Sequence, residues 1–178
     1  MVITNKFDDL GECWMSDEHY STIPQMVSRY NEQSCLLEIG TWRGRSAILI
    51  LQSNPKIKLH CLDNFEREED LNIFLSNAKR YGVRDRIVLI KDFSYNVSKY
   101  FSNNSLDFVY LDGCHDTKVV NNDLKELFPL MKKCGLILGD DWNQERVAKA
   151  VQLQSNYKIV WSKEFIYLLS KYDHISMI

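Results

Sequence analysis

The sequence predicts an α/β fold, a doubly wound and mostly parallel seven-stranded sheet with a C-terminal antiparallel hairpin. Short apolar runs alternate with amphipathic stretches along the chain. Each run is bounded by Gly, Asn or Asp, and the last two are separated only by a short polar break. Parallel neighbours need a crossover, and the crossovers cover both faces of the sheet.

An irregular lead-in and one helix, near Thr22 to Tyr30, are expected up to about Gln33, and this segment is expected to lie over the mouth of a site. The first strand is Cys35 to Ile39, followed by a helix over Arg45 to Gln52. A strand over Ile57 to Leu62 leads to a helix over Glu68 to Tyr81. The next pair is Ile87 to Ile90 and a helical turn over Tyr95 to Phe101. The strand Leu106 to Leu111 precedes a helix over Val119 to Lys132. There Val120, Leu124, Leu127, Phe128 and Met131 recur at three- and four-residue spacing and make one buried stripe. Leu136 to Leu138 and a helix over Glu145 to Leu153 complete the alternation. Lys158 to Trp161 and Phe165 to Leu169, with the break Ser162 to Glu164, read as an antiparallel hairpin.

With 178 residues and no linker or repeat, the expectation is one domain over 1–178, with a lead-in or cap at 1–33 and a core at 34–170. Apolar residues make up 45% and charged residues 26%, which excludes disordered and low-complexity classes. Net charge is −2 and no Lys/Arg cluster stands out, which speaks against a nucleic-acid partner. The five cysteines are an odd number without a C-x-x-C, which fits a reducing compartment better than a disulfide framework or zinc knuckle. No apolar run approaches the roughly 18 residues of a membrane span, and the N-terminus carries no basic and apolar leader pattern. A soluble, unprocessed, cytoplasmic protein is expected.

In an open sheet of this kind ligands sit outside the C-terminal strand ends. After the first strand comes Glu38-Ile-Gly-Thr-Trp-Arg-Gly-Arg-Ser46, where Gly40 and Gly44 permit a tight strand-to-helix turn. The three-glycine dinucleotide fingerprint is missing, which disfavours an NAD-dependent oxidoreductase. Asp63 ends the second strand, where an acid accepts hydrogen bonds from ribose hydroxyls; a polar turn with Asn64 is the alternative, and together with the glycine loop the ligand reading is favoured. Lys91-Asp-Phe-Ser94 offers a ring and small polar groups at the height of a base, or equally a helix cap through Asp92 or Ser94. Asp112, Asp140 and Asp141 converge at the rim, and like charges that close call for a cation or a proton. Oxygen ligands select Mg²⁺ or a similar hard ion over zinc. His115, three residues beyond Asp112, is placed to act as general base. The bland readings make Asp140 a cap for a helix beginning near Asn143 and His115 a hydrogen-bonded loop residue. His19, His60 and His174 have no partner at ligand spacing and read as surface or satisfied core histidines. The acid run Glu66 to Asp70 reads as a solvated first turn.

From about Met15 to Leu169 these motifs resemble class I S-adenosylmethionine-dependent methyltransferases, a Rossmann-like family. The likeness is to the small O-methyltransferases similar to macrocin- and cephalosporin-type sugar or antibiotic methylases. An acid followed by G-x-x-x-G-x-S is matched by Glu38, Gly40, Gly44 and Ser46, DG-x-H by Asp112, Gly113 and His115, and G-x-x-x-x-DD by Gly135, Asp140 and Asp141. The resemblance implies that Glu38, Gly40, Thr41, Gly44 and Ser46 line the methionine end of S-adenosylmethionine. It puts Asp63 at the ribose, Asp92 and Ser94 near adenine, and Asp112 in both the cofactor and the metal site. Asp112, Asp140 and Asp141 would bind Mg²⁺ and His115 would deprotonate a hydroxyl. Related catechol O-methyltransferases have a lysine and an asparagine where this sequence has His115 and Asp141, which tilts the acceptor towards sugar or alicyclic hydroxyls. Cys134 stands in place of the first of a usual Gly-Gly pair, and the N-terminal cap is short. The implied partner is a small-molecule acceptor, with a homo-oligomer open and no membrane. A metal-independent methyltransferase and a non-catalytic nucleotide-binding module are the alternatives.

Overall fold

The computed structural model describes residues 15–171, with Leu10 ahead of them; residues 1–9, Cys13 and His174 lie outside the described residues. The elements in chain order are α1 (Asp17–Val27), β1 (Leu36–Ile39), α2 (Arg45–Ser53), β2 (Leu59–Asp63), α3 (Glu68–Arg80) and β3 (Ile87–Lys91). They continue as β4 (Leu106–Leu111), α4 (Thr117–Leu130), β5 (Met131–Gly139), α5 (Glu145–Gln152), β6 (Lys158–Lys163) and β7 (Ile166–Ser170).

The seven strands form one sheet in the order β3-β2-β1-β4-β5-β7-β6. Strands β1 to β5 pair in parallel, and β7 runs antiparallel to both β5 and β6. This is the doubly wound Rossmann-like sheet with its closing hairpin. Alternation along β4 shows how the layers arise, because successive side chains leave a strand on opposite faces. Phe108 and Tyr110 pack with Ile23 of α1, Ile48 of α2 and Phe74 of α3. Val109 and Leu111 pack with Leu124 and Leu127 of α4 and with Val147 and Val151 of α5. The strand order reverses between β1 and β4, so the crevice for a ligand opens above that pair.

Several element bounds depart from the sequence pattern: α1 ends at Val27, β2 starts at Leu59, β5 runs from Met131 where Leu136 is expected, and β6 continues to Lys163, into the expected polar break. Helix α1 begins at Asp17, ahead of the expected Thr22, because Ser16 caps it and the His19 ring reaches back to the Ser16 N–H. The apolar spacing carried no sign of that cap, since it uses His where Glu or Gln is usual. Helix α4 stops at Leu130, not Lys132, because Met131 turns to extended backbone and pairs with Leu106. The helical turn expected over Tyr95 to Phe101 is a 3₁₀-helix over Ser94–Lys99. Among the described residues no helix is long and apolar enough to cross a membrane.

Asp123 of α4 sits inside this second layer at 1% exposure, with Oδ1 reaching no hydrogen-bond donor. Burial pushes its carboxyl up to about 6, against a smaller pull downward from the Ser94 hydroxyl. A folded-state pKa above the unfolded one means that the native chain holds a proton the unfolded chain has lost, so this residue's contribution falls as pH rises from about 4 to about 6. Asp123→Asn keeps the shape without the charge. It is expected to unfold in urea with about 2 kcal/mol more stability than the native chain at pH 7.5 and with little difference at pH 4. Equal stabilities at both pH values would show that the carboxylate is not penalised.

Candidate active site

The parallel hydrogen-bond ladder runs one residue past the strand ends and lines up the loops that follow. Asp92 N–H donates to Asp63 O at 3.1 Å, Gly40 N–H to Leu62 O at 2.9 Å, Asp112 N–H to Ile39 O at 2.9 Å and Asp140 N–H to Leu111 O at 3.0 Å. Residues far apart in sequence therefore share one rim.

Gly40 makes the tightest approach on that rim. Its φ is +88°, and a Cβ built there would lie 1.8 Å from the Asp112 carbonyl oxygen. Gly44, at φ +84°, would drive a Cβ to 2.2 Å from the Phe74 ring. Between them Trp42 takes φ 45°, a conformation costly for a bulky residue. Its N–H donates to Asp63 Oδ2 at 2.8 Å, and Asp63 Oδ1 accepts from Phe65 N–H at 2.8 Å, so Asp63 ties the loops after β1 and β2 together. Arg43 lies 4.8 Å over the Trp42 ring and donates through Nε to Asp70. Asp70 is 6% exposed and held by both Arg43 and Arg67, so this member of the acid run turns inward and is not solvated.

Glu38 is fully buried beneath the loop. Thr41 Oγ1 donates to Oε2 at 2.8 Å, while Oε1 reaches no donor. Burial pushes the carboxyl up to about 7, and the Ser46 and Thr41 hydroxyls beside it draw it part of the way back. An acid poised between its two charge states beside a cavity is a marker of a binding or catalytic site.

At the β3 end the Asp92 carboxylate accepts from Phe93 N–H, Asn96 and Tyr100, each at 2.8 Å. The Asn96 and Tyr100 hydrogen bonds hold it below the ordinary carboxylate range. The helical segment Ser94–Lys99 has Phe93 as its N-cap without a side-chain cap hydrogen bond, so Asp92 braces it through Asn96 and Tyr100 and does not cap it.

At the ends of β4 and β5, one donor atom each from Asp112, His115 and Asp141 lies within 4.8 Å of the others. His115 Nε2 is 2.6 Å from Asp141 Oδ2, and Gln144 Nε2 bridges Asp141 Oδ1 at 2.7 Å and His115 Nδ1 at 3.2 Å. The Asp141 hydrogen bond raises the imidazole, against its partial burial. Burial, then the charges of Asp140, Asp141 and Glu38, push Asp112 well above the carboxylate range. Asp140 stands apart from the expected metal trio. Its Oδ1 takes His19 Nε2 at 2.8 Å and the Asp141 N–H at 2.7 Å, and its Oδ2 takes the buried Tyr110 hydroxyl at 2.9 Å. Nor does it cap a helix, since α5 begins behind Gln144.

Two cavities meet over this rim and share Gly40, Trp42, Asp112 and Gly113 in their walls. One, of about 540 Å³, is lined on one side by Thr41, Arg45 and Ser46 and on the other by His115, Asp141 and Gln144. The other, of about 530 Å³, takes in Asp63, Asn64, Asp92, Phe93 and Ser94. Each expected site residue thus borders a cavity except Glu38, which is buried at the end of β1, and Gly44, which closes the loop at the start of α2. His60 is the satisfied core histidine expected, bonded to Leu36 O and packed edge-on to Phe101. His19 is buried and satisfied too, but its partner belongs to the site. Its 121-residue separation from Asp140 left no local spacing to find it by.

A strand order with β7 inserted antiparallel beside β5, and an acid-glycine loop facing an acidic rim, define a Rossmann-like methyltransferase. The chain belongs to the methyltransferase domain family, whose sequence pattern matches residues 37–142. It is 27% identical over 152 residues to an uncharacterized protein of Acanthamoeba polyphaga mimivirus, a match covering 80% of this chain and 66% of that one. The chain thus spans just under two thirds of the length of that relative. Among solved structures, the fold is similar to a Podospora anserina methyltransferase bound to S-adenosylhomocysteine. The TM-score is 0.72 at 17% identity, covering 94% of this chain and 83% of that one. It is also similar to a Bacillus cereus O-methyltransferase in complex with S-adenosylhomocysteine. Here the TM-score is 0.69 at 18% identity, with 92% and 86% covered.

Replacing Gly40 by Ala forces a Cβ into the Asp112 carbonyl at positive φ, with backbone on both sides and nothing flexible to yield. The variant is expected to lose about 3 kcal/mol or more in urea unfolding. A loss below about 1 kcal/mol would mean that the two loops are not locked together there.

Proposed function

We propose that this protein is an S-adenosylmethionine-dependent O-methyltransferase that acts, with a divalent cation, on a hydroxyl of a small molecule such as a sugar. The observation that carries the reading is the His115–Asp141 pair at the meeting point of two cavities, one walled by the acid-glycine loop. S-adenosylhomocysteine in the Podospora and Bacillus relatives supports the choice of donor. The orphaned oxygen of Glu38 and the hydroxyls of Thr41 and Ser46 fit the amino-acid end of that donor. Asp63 and Asn64 fit the ribose, and Phe93 and Ser94 the base.

The fit to a cation is also good. Asp112 and Asp141 supply oxygens within 4.8 Å of one another, and a cation between them relieves what burial and the neighbouring carboxylates do in raising Asp112, while His115 is kept as the base. Asp140 is left to orient, because both its oxygens are already engaged. A bound cation would polarise the acceptor hydroxyl, and bound S-adenosylmethionine would supply a methyl group already activated on sulfur.

The chain's own residues do the remainder. His115 holds its Nε2 against Asp141, which leaves Nδ1, now facing the Gln144 amide, placed to take the proton of an acceptor hydroxyl. Asp141 then stabilises the imidazolium. Trp42 and Met15 wall the acceptor side and exclude water. The direct His115–Asp141 contact favours a second reading without metal, because Asp141, a prospective ligand, is already satisfied by His115.

An acceptor screen of sugars and small alcohols, read as S-adenosylhomocysteine released, tests both readings. Turnover that EDTA abolishes and Mg²⁺ restores supports the metal-assisted enzyme, whereas turnover indifferent to EDTA supports the second. His115→Ala is expected to lower kcat by 10²- to 10⁴-fold in either case. Full activity in that variant would remove the base from the account.

A further inference from the structure

We infer that His19 is a positioning residue for the reaction, acting from the N-terminal helix through Asp140 on the Asp141–His115 pair. The inference rests on the reading of His115 as the base. The path is a series of hydrogen bonds that converge on one oxygen of Asp140. Ser16 N–H donates to His19 Nδ1 at 2.9 Å, which leaves the ring proton on Nε2. Nε2 donates to Asp140 Oδ1 at 2.8 Å. The same oxygen accepts the Asp141 N–H at 2.7 Å. Asp141 holds φ 59°, a backbone state that a non-glycine residue keeps only when its surroundings impose it. From that state its carboxylate reaches His115 at 2.6 Å.

Burial makes the His19 bond directive. His19 is 1% exposed and the Asp140 side chain 10%, so water does not replace a lost partner freely. Tyr110 fixes only the other oxygen, Oδ2, and without His19 the carboxylate can turn about that contact and release the Asp141 N–H. Helix α1 is itself seated from both sides of His19. Glu18 accepts the Phe165 N–H at 3.3 Å and pairs with Lys163 at 3.2 Å, while the Tyr20 hydroxyl meets Arg45 at 3.3 Å. Three successive residues of α1 thus grip the C-terminal hairpin, the end of β5 and the first turn of α2. The helix that borders the acceptor cavity through neighbouring Met15 also sets the geometry of the base.

Two substitutions separate positioning from capping. His19→Asn retains an acceptor for the Ser16 N–H but is too short to reach Asp140, whereas the longer amide of His19→Gln reaches it. The readout is the long-range ¹H–¹⁵N spectrum of the imidazoles in the ligand-free protein, with His115 assigned by its loss in His115→Ala. His60, half-buried near the start of β2 and bonded to Leu36 O, reports whether the sheet has folded. In His19→Asn the His115 signals are expected to move to those of a solvent-exposed imidazole while those of His60 stay in place, and His19→Gln is expected to restore the native His115 signals. With an acceptor in hand, His19→Asn should lower kcat 10- to 100-fold and leave the KM for S-adenosylmethionine unchanged. Native His115 signals in His19→Asn, or disturbed ones of equal size in both variants, would overturn the inference. The spectrum needs no donor or acceptor, so its outcome stands apart from that of the methyltransferase reading.

Discussion

Everything at the rim depends on the contact between Gly40 and the backbone of Asp112. No side chain fits between them, and so the loops after β1 and β4 close onto one another where the strand order reverses. The acid-glycine loop that would hold a donor and the acidic loop that carries His115 are thereby one surface. A parallel sheet brings its strand ends together in any case, but it leaves a crevice at the switch point. The missing Cβ narrows that crevice until the two cavities share a wall. Trp42 shows what the closure costs, since it sits at positive φ and is held there by Asp63.

Charge organises the other half of the site. Four carboxyl groups, those of Glu38, Asp112, Asp140 and Asp141, influence one another, and the fold answers each differently. Glu38 is buried and poised near neutrality, and Asp112 is pushed up by its neighbours. Asp141 is held below the usual range, burial notwithstanding, by His115 and Gln144. Asp140 is satisfied by His19, Tyr110 and its own neighbour's N–H. Groups of one type held in separate environments can take separate roles. Here Asp140 is fully engaged by hydrogen bonds, Asp141 pairs with His115, and Asp112 is left among like charges.

Much of this was legible in the sequence. The strand-helix alternation predicts the sheet because buried parallel strands must be short and apolar, and the two terminal runs predict the hairpin from their spacing alone. The site residues are legible because a doubly wound sheet puts ligands at strand ends, so Glu38, Asp63, Asp112, Asp140 and Asp141 stand out by position. What escaped was tertiary. Nothing local distinguishes Asp140 from Asp141, and only the fold shows one turned to His19 and Tyr110 and the other to His115. The acid run at Glu66 reads as solvent-facing until Arg43 arrives from a different loop to bury Asp70. Likewise the start of α1 is hidden because its cap uses a histidine that serves the site as well.

The central claim is that the rim built around Gly40 holds S-adenosylmethionine. Calorimetric titration of S-adenosylhomocysteine into the native chain, with and without Mg²⁺, tests it most directly. The account predicts saturable one-to-one binding in the micromolar range, near −7 to −8 kcal/mol by the usual conversion at about 1–10 μM. It also predicts that 5′-methylthioadenosine, which lacks the amino-acid end facing Glu38 and Ser46, binds at least 10-fold more weakly. The absence of binding by S-adenosylhomocysteine in either condition would contradict the claim.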